Sequence, residues 1–460
     1  MTLDILSLLR DRQNQNLELH SEHLNPQFAR VLKTIGFDRS YVRGEGPYLY
    51  DAEGRRTVDF LSGYGVFNMG RNHPSVRKAL EDFLGAEHAS LVQMEAPLLS
   101  GLLAEALKAR CPDSLERVFF TNSGAEGIET AIKFARRATG RPRLLHCEHS
   151  FHGLTTGALA LNGEAWFREG FDPLLSATEI PLNDTDALER ELSKGDVAAF
   201  VIEPIQGKTV HVAGDDYLRA ASDLCLRHGT LLVLDEVQCG LGRSGKLFAF
   251  EYSGIVPDIL VIAKALSGGY VPVGAVLTRR EIHDTVFSSM DRSVVHSSTF
   301  GQNALAMVAG LASLQVIDDE HLTERAAKLG ARLLSGLKEL GERYEFIRDV
   351  RGRGLMIGIE FGRPDSLKLK VAWDLVNKVN KSLFCQAIVI PLLSDHNILT
   401  QVAGRDTPII KLIPPLVISE EDVDHFLEAF DDVVRRAHRF PGPIWEVTSR
   451  LAKFAMRRKG

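Results

Sequence analysis

A chain of 460 residues with 45% hydrophobic content is long for one domain and holds enough apolar material for a sizeable core, so two domains around one site is the default expectation. A net charge of −6 argues against nucleic acid as a general partner. The five cysteines are scattered and form no C-x-x-C pair, which points to reduced thiols in a cytosol rather than a disulfide framework.

The N-terminus, MTLDILSLLRDRQNQN, carries Asp4 where a signal peptide carries positive charge, and its apolar stretch breaks too early to span a membrane. It reads as a short amphipathic arm. DAEGR, Asp51 to Arg55, lies between YLY and VDFL and reads as a hairpin turn with Gly54 at the permissive position. The glycines of FLSGYGVFNMG then break any regular element.

From Arg117 a strand, VFFT, runs into a helix with apolar residues at Ile128, Ala131, Ile132 and Ala135. Ser123 with Glu126 three residues later predicts a capping box. A helix start after a buried strand offers free N–H groups and a positive dipole end, which suit a phosphate. His146, His149 and His152 are spaced by three, but the segment reads as a strand leaving into a loop, so the rings do not converge and no metal is expected. AAFVIEPIQG is a further buried strand, ending at Glu203.

LLVL and ILVIA are continuous apolar runs of the kind covered on both faces in a parallel sheet, and Asp235 and Lys264 follow them. Both side chains are thereby expected at the carboxyl edge of the sheet, where open α/β sheets place ligands. A lysine in an apolar pocket can lose its proton and form a Schiff base, and a nearby carboxylate can keep a pyridinium nitrogen protonated.

HSSTFGQNALAMVAGLASLQVI begins irregular and becomes helical, with Ala306, Ala309, Gly310 and Leu314 as close-packing positions. From about Leu322 the chain reads as helix ERAAKLGARLLSGLKELGERY, strand LMIGIEF, a helix around Ala372 to Leu383, a strand at Ile409 to Ile413, and a helix capped by Ser419 with Asp422. In the tail, Ile444, Trp445, Thr448, Leu451, Ala452 and Ala455 recur at helical spacing among Arg450, Lys453, Arg457, Arg458 and Lys459. A basic amphipathic segment with a tryptophan lies well on an anionic membrane surface; a helix docked on the protein is the alternative.

The strings DEVQCGLGRSG and PDILVIAKALSGGYVPVGA resemble the class III aminotransferases, pyridoxal-phosphate enzymes that include ornithine, acetylornithine, GABA and putrescine aminotransferases. The resemblance runs from about Tyr41 to about Val434, with the motifs in the family's order. It implies an α/β protein of fold type I: a mainly parallel, doubly wound sheet in a large domain, 71–315, with a smaller α/β domain from residues 1–70 and 316–438 and a tail from 439. Lys264 would then anchor the cofactor covalently and shuttle the proton, with Asp235 on the ring nitrogen. Ser123, Gly124 and Ala125 match the phosphate cup, Phe151 and His152 the ring-stacking element, Glu203 the carboxylate bordering the cofactor, and Gln238 the glutamine beside its phenolic oxygen. Cys239 stands where the family has threonine, and Ala304 where it has proline. Tyr64 matches the substrate-entry segment. Thr299 matches the threonine that reaches the neighbouring subunit's phosphate, implying a homodimer.

In the ornithine, GABA and putrescine branches, EPIQG is followed by a glutamate that pairs with the arginine of an R-x-x-PPL motif, and that arginine is released to clamp an oxo-acid carboxylate. Here the two positions are Lys208 and Lys411. The expected activity is amino transfer between a terminal primary amine and an oxo acid or aldehyde, in the cytoplasm, with peripheral membrane contact through the tail. Amination of the aldehyde of a lipid or polyketide-like substrate, or a same-fold aminomutase or decarboxylase, is the alternative.

Overall fold

In the computed structural model, which describes residues 3–92, 94–439, 441, 442, 444–446 and 448, seven strands form the central sheet. Across it the order is Arg117–Thr121, Gly274–Thr278, Ile259–Ile262, Leu231–Asp235, Val197–Ile202, Arg143–Cys147 and Ala177–Ile180. Gly274–Thr278 is antiparallel to both its neighbours, and the other pairings are parallel. Six carboxyl ends therefore share one edge.

The apolar runs are explained by burial on both faces. Every residue of Val197–Ile202 and of Ile259–Ile262 is buried. Side chains alternate between faces along a strand, so Val201, Val233 and Val261 pack with Ile128, Ala131 and Ile132 of helix Gly124–Thr139. Phe200, Leu232, Leu234 and Leu260 join the cluster containing Leu218 and Leu224 of helix Asp215–His228. Helices on both faces make the sheet doubly wound.

Two smaller sheets flank this unit. Tyr41–Glu45, Tyr48–Asp51 and Arg56–Asp59 form an antiparallel meander, with Gly54 at φ 78° in its second turn, and Ile398–Leu399 adds in parallel beside Arg56–Asp59. Both ends of the chain thus build one sheet. Ile347–Arg353, Met356–Phe361, Ile409–Leu412 and Gln401–Val402 form the other.

Two expectations are corrected. The helix around Ala372 to Leu383 is two helices, Leu367–Asn377 and Leu383–Ser394. Between them the Asn380 side chain accepts hydrogen bonds from the Ser382 backbone N–H and hydroxyl, a local turn that competes with helix continuation. The tail's first apolar residues are already used inside the protein. Ile444 and Trp445 are buried, the Trp445 indole N–H donates to the Ala437 carbonyl at 2.8 Å, and its ring lies 5.7 Å from Phe384 and 5.9 Å from Phe346. A tryptophan so engaged is not free to enter a headgroup layer. Leu451, Ala452, Ala455 and the five basic residues lie outside the described residues. Among the described residues no helix is long and apolar enough to cross a membrane.

Trp445→Ala should therefore lower the unfolding free energy by about 3–5 kcal/mol, the usual cost of deleting a buried aromatic. Urea denaturation checks this, and an unchanged midpoint would mean that the docking contributes nothing.

Candidate active site

Five segments leave the carboxyl edge of the sheet side by side, and their side chains meet there. Asp235 ends its strand on the face that Val233 and Val261 share with helix Gly124–Thr139, and it is buried. One carboxylate oxygen accepts from His152 Nδ1 at 2.8 Å and the other from the Val237 N–H at 3.0 Å. Burial works against a charged imidazole, but the hydrogen bond and charge of Asp235 prevail and raise the His152 pKa. His152 is thus paired with Asp235, while the Phe151 ring beside it faces the Lys208 ammonium.

On the adjacent strand, Ile259–Ile262 is followed by Ala263 and then Lys264, whose φ of 45° is the left-handed region that an L-residue enters at a cost of about 1–2 kcal/mol. Strain of this kind persists where the surroundings over-determine the backbone. Burial lowers the Lys264 pKa against the pull of Asp235 and Glu203. Among the described residues its ammonium has no ion pair or hydrogen bond, so it is free to act as a nucleophile.

Helix Gly124–Thr139 starts at the same edge with Ser123 as cap, its hydroxyl accepting from the Glu126 N–H at 3.2 Å. The expected reciprocal half of the capping box is displaced by one residue. Glu126 instead accepts from the Asn122 N–H at 2.9 Å and from the Asn122 amide at 3.0 Å, and that amide also donates to Ser298. The first-turn N–H groups of Gly124 and Ala125 have no intrahelical acceptor, an arrangement that suits an anion. A Cβ on Gly124 would lie 2.9 Å from Val237, so only glycine lets the helix start close on the Asp235 loop.

Glu203 is buried and accepts from the Phe151 N–H at 2.9 Å and the Gly207 N–H at 2.7 Å, which ties the Phe151 and Lys208 loops together. Burial and the nearby Asp235 push its pKa up, although His152 pulls the other way. Gln238 donates to the Tyr64 carbonyl at 3.0 Å. Ser62, Gly63, Tyr64 and Gly65 have φ of 44°, 60°, 63° and 85°, a left-handed turn that leaves the Tyr64 ring half exposed over the site. Thr299 and Phe300 are exposed on the loop next to Ser298.

Lys208 and Lys411 do not form the acid–base pair that a closed gate needs. Lys411 is buried and donates to the Gly207 carbonyl at 2.5 Å and to Gln238 Oε1 at 3.4 Å. Lys208 lies 4.8 Å from the Phe151 ring centroid and 4.7 Å from that of Phe167, a cation held by two aromatic faces. Phe167 and the His152–Asp235 pairing were not read from the sequence. The three histidines have different partners: His146 meets Ser150 and the Cys147 carbonyl, and the His149 ring lies 5.9 Å from His211. Chemically, the edge offers helix-start N–H groups suited to an anion, a buried carboxylate with an imidazole behind it, and a lysine of lowered pKa within electrostatic reach of that carboxylate.

The sequence model of the family described as Aminotransferase class-III matches residues 33–434. The chain is 37% identical to the aminotransferase PigE of a Serratia strain over 454 residues, covering 92% of this chain, and it spans about half of that protein's length, 53%. It is 35% identical to a putrescine aminotransferase of Pectobacterium atrosepticum, covering 91% of this chain and 88% of that protein. A crystal structure of the Toxoplasma gondii ornithine aminotransferase, with partial occupancy of PLP at its active site, superposes with a TM-score of 0.79 at 28% identity, covering 95% of this chain and 100% of the other.

Proposed function

The chain belongs to the class III aminotransferases, a pyridoxal-phosphate-dependent family of fold type I, and from that premise we propose that it moves an amino group between a terminal primary amine, a diamine or omega-amino acid, and an oxo acid or aldehyde, in two successive half-reactions. The observation that carries the reading is the pairing of His152 with Asp235 one strand away from an unpaired Lys264.

The residues fit pyridoxal phosphate by the chemistry of their donors. The Gly124 and Ala125 amides with the Ser123 hydroxyl would hold the phosphate, Asp235 the protonated ring nitrogen and Phe151 a ring face, with Glu203 and Gln238 bordering the ring. When bound, the cofactor supplies an electrophilic carbon and a ring that accepts the electron pair released at the substrate carbon. Asp235 keeps the ring proton in place and His152 holds Asp235. Lys264 would anchor the cofactor covalently, and its Nζ, when free and neutral, would take a proton from the substrate carbon as general base and return one as general acid. Thr299, exposed in one chain, would reach the phosphate of the second copy in a homodimer. Five free thiols fit a cytoplasmic setting. Purified protein should absorb in the visible and lose that colour with a good amine donor; colourless protein that cannot be reconstituted would sink the assignment.

For the acceptor, Lys411 supplies the carboxylate contact in place of an arginine. Burial first, then Lys264 and Lys208, push its pKa down to about 7. Its charged form prevails below that pH and is lost above it, so KM for 2-oxoglutarate should rise as pH increases through 7. Lys411→Arg should flatten that profile, since a guanidinium stays charged. The paired change Lys208→Glu with Lys411→Arg restores both a bidentate donor and its acid, and should improve 2-oxoglutarate use more than the two single changes combined. Equal or smaller gain from the pair would mean that positions 208 and 411 do not act together.

A further inference from the structure

We propose that Lys208 is a specificity-determining residue that selects amines without a second positive charge, so that the donor is a terminal monoamine whose far end is anionic or apolar and not a diamine. This rests on the aminotransferase reading and narrows its substrate class.

Lys264, Lys208 and Lys411 are close enough that Lys208 depresses the pKa of both others and Lys264 that of Lys411. The carboxylates that act on these three lysines are Asp235, Glu203 and Glu164. Each is already engaged. Asp235 accepts from His152 and Val237, Glu203 from the Phe151 and Gly207 amides, and Glu164 from the Trp166 indole at 2.7 Å. A second ammonium entering beside half-buried Lys208 would meet a like charge, and the two buried carboxylates already accept two hydrogen bonds each, so a direct ion pair with either does not offset the repulsion.

Lys208 cannot simply withdraw. Its ammonium sits against Phe151 and Phe167, and Phe167 in turn stacks on Trp166 with ring centroids 4.1 Å apart. Arg405 lies over the Trp166 ring at 5.7 Å. The rings thus hold one cation next to the candidate ring-stacking residue and a second over Trp166. The same wall offers what a monoamine needs: aromatic faces for an alkyl tail, or an ammonium for a carboxylate.

The test uses three amines of one chain length: pentylamine, delta-aminovalerate and cadaverine. Apparent dissociation constants come from the change in the holoenzyme's visible spectrum, and kcat/KM from turnover with one fixed acceptor. Wild type should prefer at least one of the monoamines over cadaverine by about tenfold or more, and Lys208→Glu should shift the cadaverine-to-monoamine ratio by about tenfold or more toward cadaverine. Lys208→Met, which removes charge and keeps length, should move the ratio part of the way, and it stands in if the glutamate variant does not fold. Preference for pentylamine or for aminovalerate tells whether the far end is apolar or anionic. Cadaverine binding as well as the better monoamine in wild type, or a ratio unmoved by both variants, overturns the proposal while leaving the aminotransferase reading intact. A coloured holoenzyme that responds to no amine overturns that reading, and the proposal with it.

Discussion

Replacing Lys264 with alanine should abolish turnover, with a loss of about a thousandfold or more, while leaving the protein folded. The size of the loss follows from two roles, since the same Nζ anchors the cofactor and moves the proton, and general acid–base catalysis alone accounts for about 10²–10⁴. The fold should survive because alanine keeps the Cβ, so the strained φ of 45° is no worse than before, and no ion pair or hydrogen bond of Lys264 among the described residues is lost. Borohydride treatment followed by denaturation and mass spectrometry separates the roles: wild type should retain the cofactor's mass and the alanine variant should not. A variant that still carries the mass would move the anchor to another amine.

Asp235→Asn should bind cofactor yet turn over about a hundred- to a thousandfold more slowly, the scale seen when one preorganised electrostatic contact is removed. Asparagine keeps the shape: its oxygen can still accept from the Val237 N–H and its NH2 can donate to His152 Nδ1 of a neutral imidazole, so the loss would come from charge rather than collapse. A rate within threefold of wild type, about 0.65 kcal/mol, would put Asp235 outside the chemistry.

The strands that carry the chemistry were legible because burial on both faces demands unbroken apolar runs, and a charge that ends such a run must emerge at an edge. That logic located Asp235, Lys264 and Glu203. Pairings set by the third dimension were not legible. His152 meets Asp235 across 83 residues, and only the sheet order, which brings Arg143–Cys147 near Leu231–Asp235 with one strand between, makes that contact. The available signal was that both residues follow predicted strand ends. Phe167 lies on a four-residue helix too short to show a period, so its contact with Lys208 left no pattern in the sequence. The left-handed turn at Ser62–Gly65 was visible only as a glycine-rich break, because Ser62 and Tyr64 give no sign of a positive φ. At the start of the tail, where 444–446 and 448 are helical, spacing alone does not say whether Trp445 faces lipid or the rings of Phe346 and Phe384. The displaced Glu126 bond has a similar origin: a carboxylate can reach the N–H one residue before the cap as readily as the cap's own.

The claim on which the rest depends is that this edge of the sheet carries out transamination rather than another reaction open to the same fold and cofactor. Single-turnover reaction of holoenzyme with a responsive amine, with no acceptor present, tests it most directly. The account predicts loss of the visible absorbance together with one equivalent of carbonyl product per site, and recovery of the colour when an oxo acid or aldehyde is added. Release of carbon dioxide or an isomerised amine, with the amino group retained on the product and the colour restored without an acceptor, would contradict it.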